Sequence, residues 1–334
     1  MCSSVGSQGC DRLGRSFSIS GEPWPFHTDS QEDAMSDAER VARTVAIIGA
    51  GTMGRRIAYG CAVRGVRARL HDVSGEALAG AIEAVRTLLQ TAVEGGGPGA
   101  GGTHGHVEAC RDLEDCVREA DWVIETVPED LELKRVVLGQ IGAAAPADAF
   151  IASNTSSLPG SWLAESTGRP GRFTNMNFGT PEDLKVEVMG HPGTDPATTD
   201  AAKRFLRRLG LVPIVARREI QGYPTNRIWR AVKKESLHLI AGGYLSAEEI
   251  DRAWMLDWGT PLGPCGLMDV VGLDVVRDIE NVYYEASGDP SDRPPGFLDR
   301  MIERGELGVK SGKGFYTYPS PAFEREGWLT ASDD

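Results

Sequence analysis

The stretch Thr44-Val45-Ala46-Ile47-Ile48-Gly49-Ala50-Gly51-Thr52-Met53-Gly54 decides the fold. Thr44 to Ile48 is a short β-branched apolar run, the signal of a buried strand. The next six residues read Gly-x-Gly-x-x-Gly, and a helical stretch follows from Met53 to about Arg64. Val66 to His71 reads as a second strand, so the segment spells a βαβ unit. In that context each glycine has a task. Gly49 allows a tight turn, Gly51 lets the backbone approach a pyrophosphate, and Gly54 lets helix and strand pack closely. The helix start, with Thr52 and Met53, offers N–H donors and a positive dipole end to phosphate. Asp72 closes the second strand, placed to accept hydrogen bonds from the adenosine ribose hydroxyls. Its charge repels a 2′-phosphate, so NAD is expected rather than NADP. Arg55 and Arg56 come next on the helix, where a solvated face explains them at least as well as a phosphate contact.

Outward from this unit the alternation continues. A helix is expected over Gly75 to Val93, then a glycine-rich connection from Glu94 to Gly105. His104 and His106 lie there as His-x-His, read as a solvated loop, with no metal site assigned. Strands are expected at Trp122 to Thr126, Ala149 to Ser153, Phe173 to Phe178, Leu184 to Met189 and Val212 to Ala216. Helices fall at Leu131 to Ile141 and Thr198 to Leu209. Alternating β and α elements predict an open, mostly parallel sheet wound on both faces. After Gln221 the texture turns helical, over Arg227 to Ala241, Ala247 to Met255 and Leu273 to Ala286. The expected organisation is a disordered tail (1–40), a Rossmann-type domain (41–218), an all-helical domain (219–318) and a loose tail (319–334). Met35 is a candidate alternative start.

The chain has 334 residues, long enough for two domains, and a formal net charge of -13. An acidic protein repels phosphate backbones and anionic lipid, so no nucleic-acid or membrane partner is expected. No apolar run is long enough to span a bilayer. Six scattered cysteines without a CxxC pair read as free thiols in a reducing, cytoplasmic setting.

Four further segments carry a resemblance: VIETVPEDLELK at 123–134, ASNTSSL at 152–158, GYPTNR at 222–227, and the run from GPCGLMDVVGLD to GVKSGKGFY at 263–316. With the glycine loop they resemble the 3-hydroxyacyl-CoA dehydrogenase family over about Val41 to Tyr318. The wording is closest to its lambda-crystallin and 3-hydroxybutyryl-CoA dehydrogenase branches. The resemblance implies roles. Glu129 matches a glutamate near the nicotinamide end, and Lys134 a cofactor-contacting lysine. Asn154 is assigned to the cofactor on the same ground. Ser156 and Asn226 match the polar residues that hydrogen-bond the substrate oxygen and the catalytic histidine, where fixed donors meet developing alkoxide charge. The helical domain is expected to form a homodimer interface, with Ile228 to Ile240 as its apolar face.

One departure bears on the chemistry. The family's proton-transfer pair is a histidine and a glutamate some ten residues later. The matching segment here is RFTNMNFGTP at 172–181, with Asn177 at the histidine position, Thr180 in place of an asparagine, and Glu187 as the orienting glutamate. A histidine holds or releases a proton near neutral pH, whereas an asparagine amide only donates or accepts hydrogen bonds. Glu187, Tyr223, His191 or a water relayed by Asn177 and Ser156 are the visible substitutes. Alternatively, the substrate brings its own acid.

The resulting expectation is an NAD-dependent oxidoreductase acting on a β-hydroxy/β-keto acyl substrate, bound as CoA thioester, carrier-bound acyl group or free acid, as a specialised tailoring reductase. An imine reductase on the same scaffold, and a weakly catalytic NAD-binding structural or regulatory protein, are the alternatives.

Overall fold

The computed structural model describes residues 42–94, 106–179 and 184–330. The expected tail over 1–40, most of the glycine-rich connection, and Thr180 lie outside the described residues. The chain forms two compact units, one extending through Asn226 and the other from Arg227 onward.

The first unit is built on eight strands: β1 (Thr44–Ile48), β2 (Arg67–His71), β3 (Val107–Ala109), β4 (Trp122–Glu125), β5 (Phe150–Ser153), β6 (Phe173–Phe178), β7 (Lys185–Met189) and β8 (Val212–Ala216). Their order in the sheet is β3-β2-β1-β4-β5-β6-β7-β8. All neighbours pair in parallel except β6 and β7, which run antiparallel. The central strands β1, β4 and β5 are mostly apolar because both faces are covered. Along β1, Val45 and Ile47 enter one core with Ile57 and Cys61 of α1 (Thr52–Ala62), Val85 of α2 (Gly75–Glu94) and Phe205 of α5 (Pro196–Arg208). Ala46 and Ile48 enter the opposite core with Val117 of α3 (Leu113–Val117) and Leu138 of α4 (Leu131–Ala144). The strand period of two thus feeds both cores from one strand.

The second unit is helical. Its elements are α6 (Pro224–Ala241, begun in the first unit), α7 (Ala247–Trp258), α8 (Pro264–Val271), α9 (Leu273–Ser287) and α10 (Gly296–Glu303). Leu237, Ile250, Met268, Val276 and Leu298 make its core. Two buried carboxylates tie it together. Asp251 accepts from Cys265 N, Gly266 N and the Tyr316 hydroxyl. Asp269 accepts from Phe315 N, Tyr316 N and the Tyr318 hydroxyl. A Cβ at Gly308 or Gly314 would collide with Asp269, which gives these two glycines of GVKSGKGFY a packing reason.

Several expectations need correction. The first compact unit extends to Asn226, the GYPTNR turn being bonded to the sheet through Tyr223 and Thr225. The segment from Pro319 is not loose. Trp328 is buried in the helical core, with Phe323 and Leu329 packed against it. The short elements β3, α3, α8 and α10 were not expected. Three to eight residues hold too little periodicity to read.

Candidate active site

The glycine loop is shaped by three different contacts. Gly49 has φ 113°, and a Cβ there would sit 2.8 Å from Thr126 O. A Cβ on Gly54 would overlap Gly49 O, so helix and loop touch directly. A Cβ on Gly51 would meet nothing within 4 Å, the open space a pyrophosphate needs. Gly51 caps α1 without a side-chain hydrogen bond, and the first turn holds no acidic residue. The helix start is therefore left to an anion. Thr126 clamps the loop from β4, its Oγ1 donating to Ile48 O or Gly49 O. Asp72 sits at the end of β2. Its Oδ2 accepts from Ala50 N at 2.7 Å and its Oδ1 from Ser74 N at 2.8 Å. The carboxylate thus stands at the loop where an adenosine ribose would lie. These residues fit NAD: donors for the phosphates, room at Gly51, and a negative charge where a 2′-phosphate would be.

A second construction lies past β4. Glu125 is 0% exposed and accepts from Lys134 Nζ at 2.8 Å, Ser153 Oγ at 2.6 Å and Val127 N at 2.7 Å. Burial pushes its carboxyl up, against the opposing pull of Lys134 and Ser153. Lys134 also donates to Val127 O and lies 3.4 Å from Glu129 Oε2. The lysine expected to contact cofactor is thus 1% exposed and turned inward, where two carboxylates and a carbonyl satisfy it. There it is paired with Glu129 as well as Glu125. Glu129 gathers the segment after β5. Its Oε1 accepts from Thr155 Oγ1 at 2.5 Å, Ser156 N and Ser157 N at 3.0 Å each, and Ser157 Oγ at 2.8 Å. Burial pushes this carboxyl up, but the Thr155 and Ser157 hydrogen bonds and the Lys134 charge outweigh it and hold it below the usual range. Ser156 stands exposed on this anchored turn. Asn154, at the end of β5, spends its Oδ1 on Phe178 N and so braces β5 against β6.

The third part is the antiparallel pair. Asn177 on β6 and Glu187 on β7 are register partners, with Asn177 Nδ2 3.4 Å from Glu187 Oε2. Glu187 is 1% exposed, and its Oε1 accepts from Thr225 N at 3.0 Å. Lys185 Nζ lies 3.7 Å from Glu187 Oε2. Two residues before Thr225, Tyr223 takes φ 53° after Gly222 at φ 81°, a left-handed pair that turns the chain sharply. A non-glycine residue there is strained. The buried Tyr223 hydroxyl offsets this by donating to Thr155 O at 3.0 Å. Asn226 follows, exposed, in the first turn of α6.

Bonds therefore link the expected residues through their neighbours: Ser156 by way of Thr155 and Tyr223, Asn226 by way of Thr225 and Glu187, and Asn177 through Glu187. Two proposed proton carriers leave the set. Burial pushes the Tyr223 phenol far above its ordinary range, and its hydroxyl is committed to Thr155. His191 is engaged on both nitrogens, Nδ1 accepting from Gly193 N at 3.1 Å and Nε2 lying 3.0 Å from Pro170 O. Sequence reasoning missed Glu125, Thr126, Thr155 and Lys185. A Thr-to-carbonyl clamp or a strand neighbour has no one-dimensional signature.

Comparison with known proteins agrees with this arrangement. Residues 44–220 match the family model "3-hydroxyacyl-CoA dehydrogenase, NAD binding domain", and residues 222–318 match "3-hydroxyacyl-CoA dehydrogenase, C-terminal domain". The 3-hydroxybutyryl-CoA dehydrogenase of Bradyrhizobium diazoefficiens is 34% identical over 286 residues, covering 83% of this chain and 96% of that protein. The solved (S)-3-hydroxybutyryl-CoA dehydrogenase of Ralstonia eutropha superposes with a TM-score of 0.75 at 32% identity, covering 84% of this chain and all (100%) of that one. A solved diketoreductase, described for dual catalysis of dicarbonyl compounds, gives 0.73 at 31% identity, covering 84% and 100%. The chain belongs to the 3-hydroxyacyl-CoA dehydrogenase family, and its cofactor is NAD.

Proposed function

We propose that this NAD-dependent oxidoreductase interconverts the hydroxyl and carbonyl of a β-hydroxy/β-keto acyl compound, as a specialised tailoring reductase. The observation that carries the reading is the Asn177–Glu187 pair, bonded through Thr225, Tyr223 and Thr155 to the turn that presents Ser156. NAD, when bound, supplies or accepts the hydride. The loop at Gly49–Gly54 and Asp72 hold its adenosine diphosphate half, and Glu129 orders the turn at its other end. The Ser156 hydroxyl and the Asn226 amide donate to the substrate oxygen, where negative charge develops during reduction. Asn177 holds Glu187 by its amide and carries no proton itself. Dicarbonyl acceptance in a relative of comparable similarity supports a substrate beyond fatty acyl chains.

The test is NADH oxidation measured with acetoacetyl-CoA, with free acetoacetate and with a panel of free β-diketo acids. Turnover on any of these fits the reading. Binding of NADH without turnover on all of them would sink it.

We also propose a homodimer through the helical unit, in a cytoplasmic setting. Support comes from the exposed apolar side chains of that unit, with Ile228 68%, Trp258 69% and Val282 60% accessible. Among the described residues no helix is long and apolar enough to cross a membrane.

A further inference from the structure

We propose that Lys185 is the proton carrier of this site: its ε-ammonium, paired with Glu187 beside Asn177, delivers a proton to the substrate's carbonyl oxygen. The inference rests on the carbonyl-reduction reading above and names the group that reading lacks.

Topology brings Lys185 to the right edge. In an open α/β sheet, ligands bind beyond the carboxyl ends of the parallel strands. Strands β1, β2, β4, β5 and β6 all end at that edge, and β7 runs the other way. The first residue of β7 therefore lies where the others finish, and that residue is Lys185. On a strand, residues two apart share a face. Lys185 and Glu187 do so, and Asn177, the register partner of Glu187, joins them. The outcome is convergence on one atom. Glu187 Oε2 has Asn177 Nδ2 at 3.4 Å and Lys185 Nζ at 3.7 Å.

The chemistry then sorts these three. Glu187 is 1% exposed and occupied by Thr225 N, so it orients and does not meet substrate. An amide does not release a proton near neutral pH. An ammonium has three N–H donors, and its neutral amine is a base, so it serves in both directions. At 3.7 Å the ion pair is longer than a hydrogen bond, which leaves the N–H groups free to turn toward a ligand. The Lys185 side chain is 39% exposed, so water can reprotonate it after each cycle. The register partner of Lys185 on β8 is Val212, which is uncharged, and among the described residues Glu187 is the charged group paired with Nζ. Tyr223, His191 and Lys134 are each committed elsewhere.

The step balances. An N–H bond of Nζ breaks and an O–H bond forms at the substrate oxygen. Hydride from NADH would form the new C–H bond at the carbonyl carbon, and the carbonyl π pair that it displaces onto oxygen makes that oxygen basic. The products are the alcohol, NAD and a neutral amine, which regains its proton from water.

The experiment compares wild type with Lys185→Met and Lys185→Ala on whichever carbonyl substrate the wild type turns over. We expect kcat to fall by ~10²–10⁴-fold, the usual worth of general acid–base catalysis, with KM little changed and NADH binding by fluorescence intact. Added ethylamine restores part of the kcat of Lys185→Ala in proportion to its concentration, which a structural side chain would not show. A kcat within about threefold of wild type, or a loss confined to KM without amine rescue, overturns the proposal and makes Lys185 an anchor for substrate charge. An independent readout uses the cofactor-free protein. Glu187→Gln should speed acetylation of Lys185 by acetic anhydride, read by mass spectrometry, because Nζ loses the partner that holds it. Equal rates overturn the pairing. A wild type inert on every carbonyl compound defeats the functional reading itself and this inference with it. That failure shows before any variant is made.

Discussion

At the scale of the residue, the proposed site divides among side chains what a histidine would combine. Asn177 keeps the hydrogen bond to Glu187 but not the proton. Asn177→His should therefore return at least about tenfold of the kcat lost in Lys185→Met, within the ~10²–10⁴-fold that acid–base catalysis supplies. Single-turnover rates with acetoacetyl-CoA check it. Glu129 gives a pH prediction. Its folded-state carboxyl titrates below the ordinary value of 4.5, since hydrogen bonds from Thr155 and Ser157 favour the charged form. The unfolded state binds its proton first, so its contribution to stability is present in full above about pH 4.5 and is lost as pH falls through the lower folded value. Denaturation midpoints of wild type should decline more steeply below that pH than those of Glu129→Gln. Tyr223→Phe leaves Thr155 O without its donor inside the protein and should cost about 1–3 kcal/mol in urea unfolding. Ser156, and with it kcat, should suffer as the turn loosens.

At the scale of the element, the glycine loop and first helix were legible because the sequence pattern and the physical need coincide. Gly54→Ala would drive a Cβ into Gly49 O, so α1 must move off β1. Overpacking of this kind costs about 1–3 kcal/mol, and NADH affinity, read by fluorescence titration, should fall along with the melting temperature. The long strands and helices could be placed from their period of two or 3.6, and β1, β6 and β8 begin and end where the pattern says. The three-residue β3 and eight-residue α8 and α10 could not be placed. Lys185 was also missed. Its meaning depends on β7 running antiparallel to β6, and strand direction is not written in a five-residue stretch of alternating polar and apolar residues. The surroundings of Lys134 were hidden for a related reason. Its partner Glu125 lies nine positions away on a different element, a pairing that only folding reveals.

At the scale of the whole molecule, the net charge of -13 sets the background against which an anionic cofactor binds. Affinity has to come from local N–H groups at Gly51 and α1, not from a long-range field, so NADH binding should depend only weakly on salt. A Kd changing less than about threefold between 50 and 200 mM salt would agree, far from the steep dependence of counterion-releasing binders. Light scattering at rising concentration tests the dimer. A monomer throughout would remove it. The two-unit organisation was legible from the change in texture after Gln221. Hydrogen bonds from Tyr223 and Thr225 bind the turn that follows to the sheet. Asp72, finally, makes coenzyme choice hard to evolve. The carboxylate that would discriminate against a 2′-phosphate is the same one that holds Ala50 N, inside the loop that receives the pyrophosphate. A lineage drifting toward NADP could not simply discard it. Asp72→Ala should lose NADH affinity without gaining comparable NADPH affinity, and only a second change that re-secures the loop would open that path. Coenzyme preference is thereby locked by epistasis between two functions of one side chain.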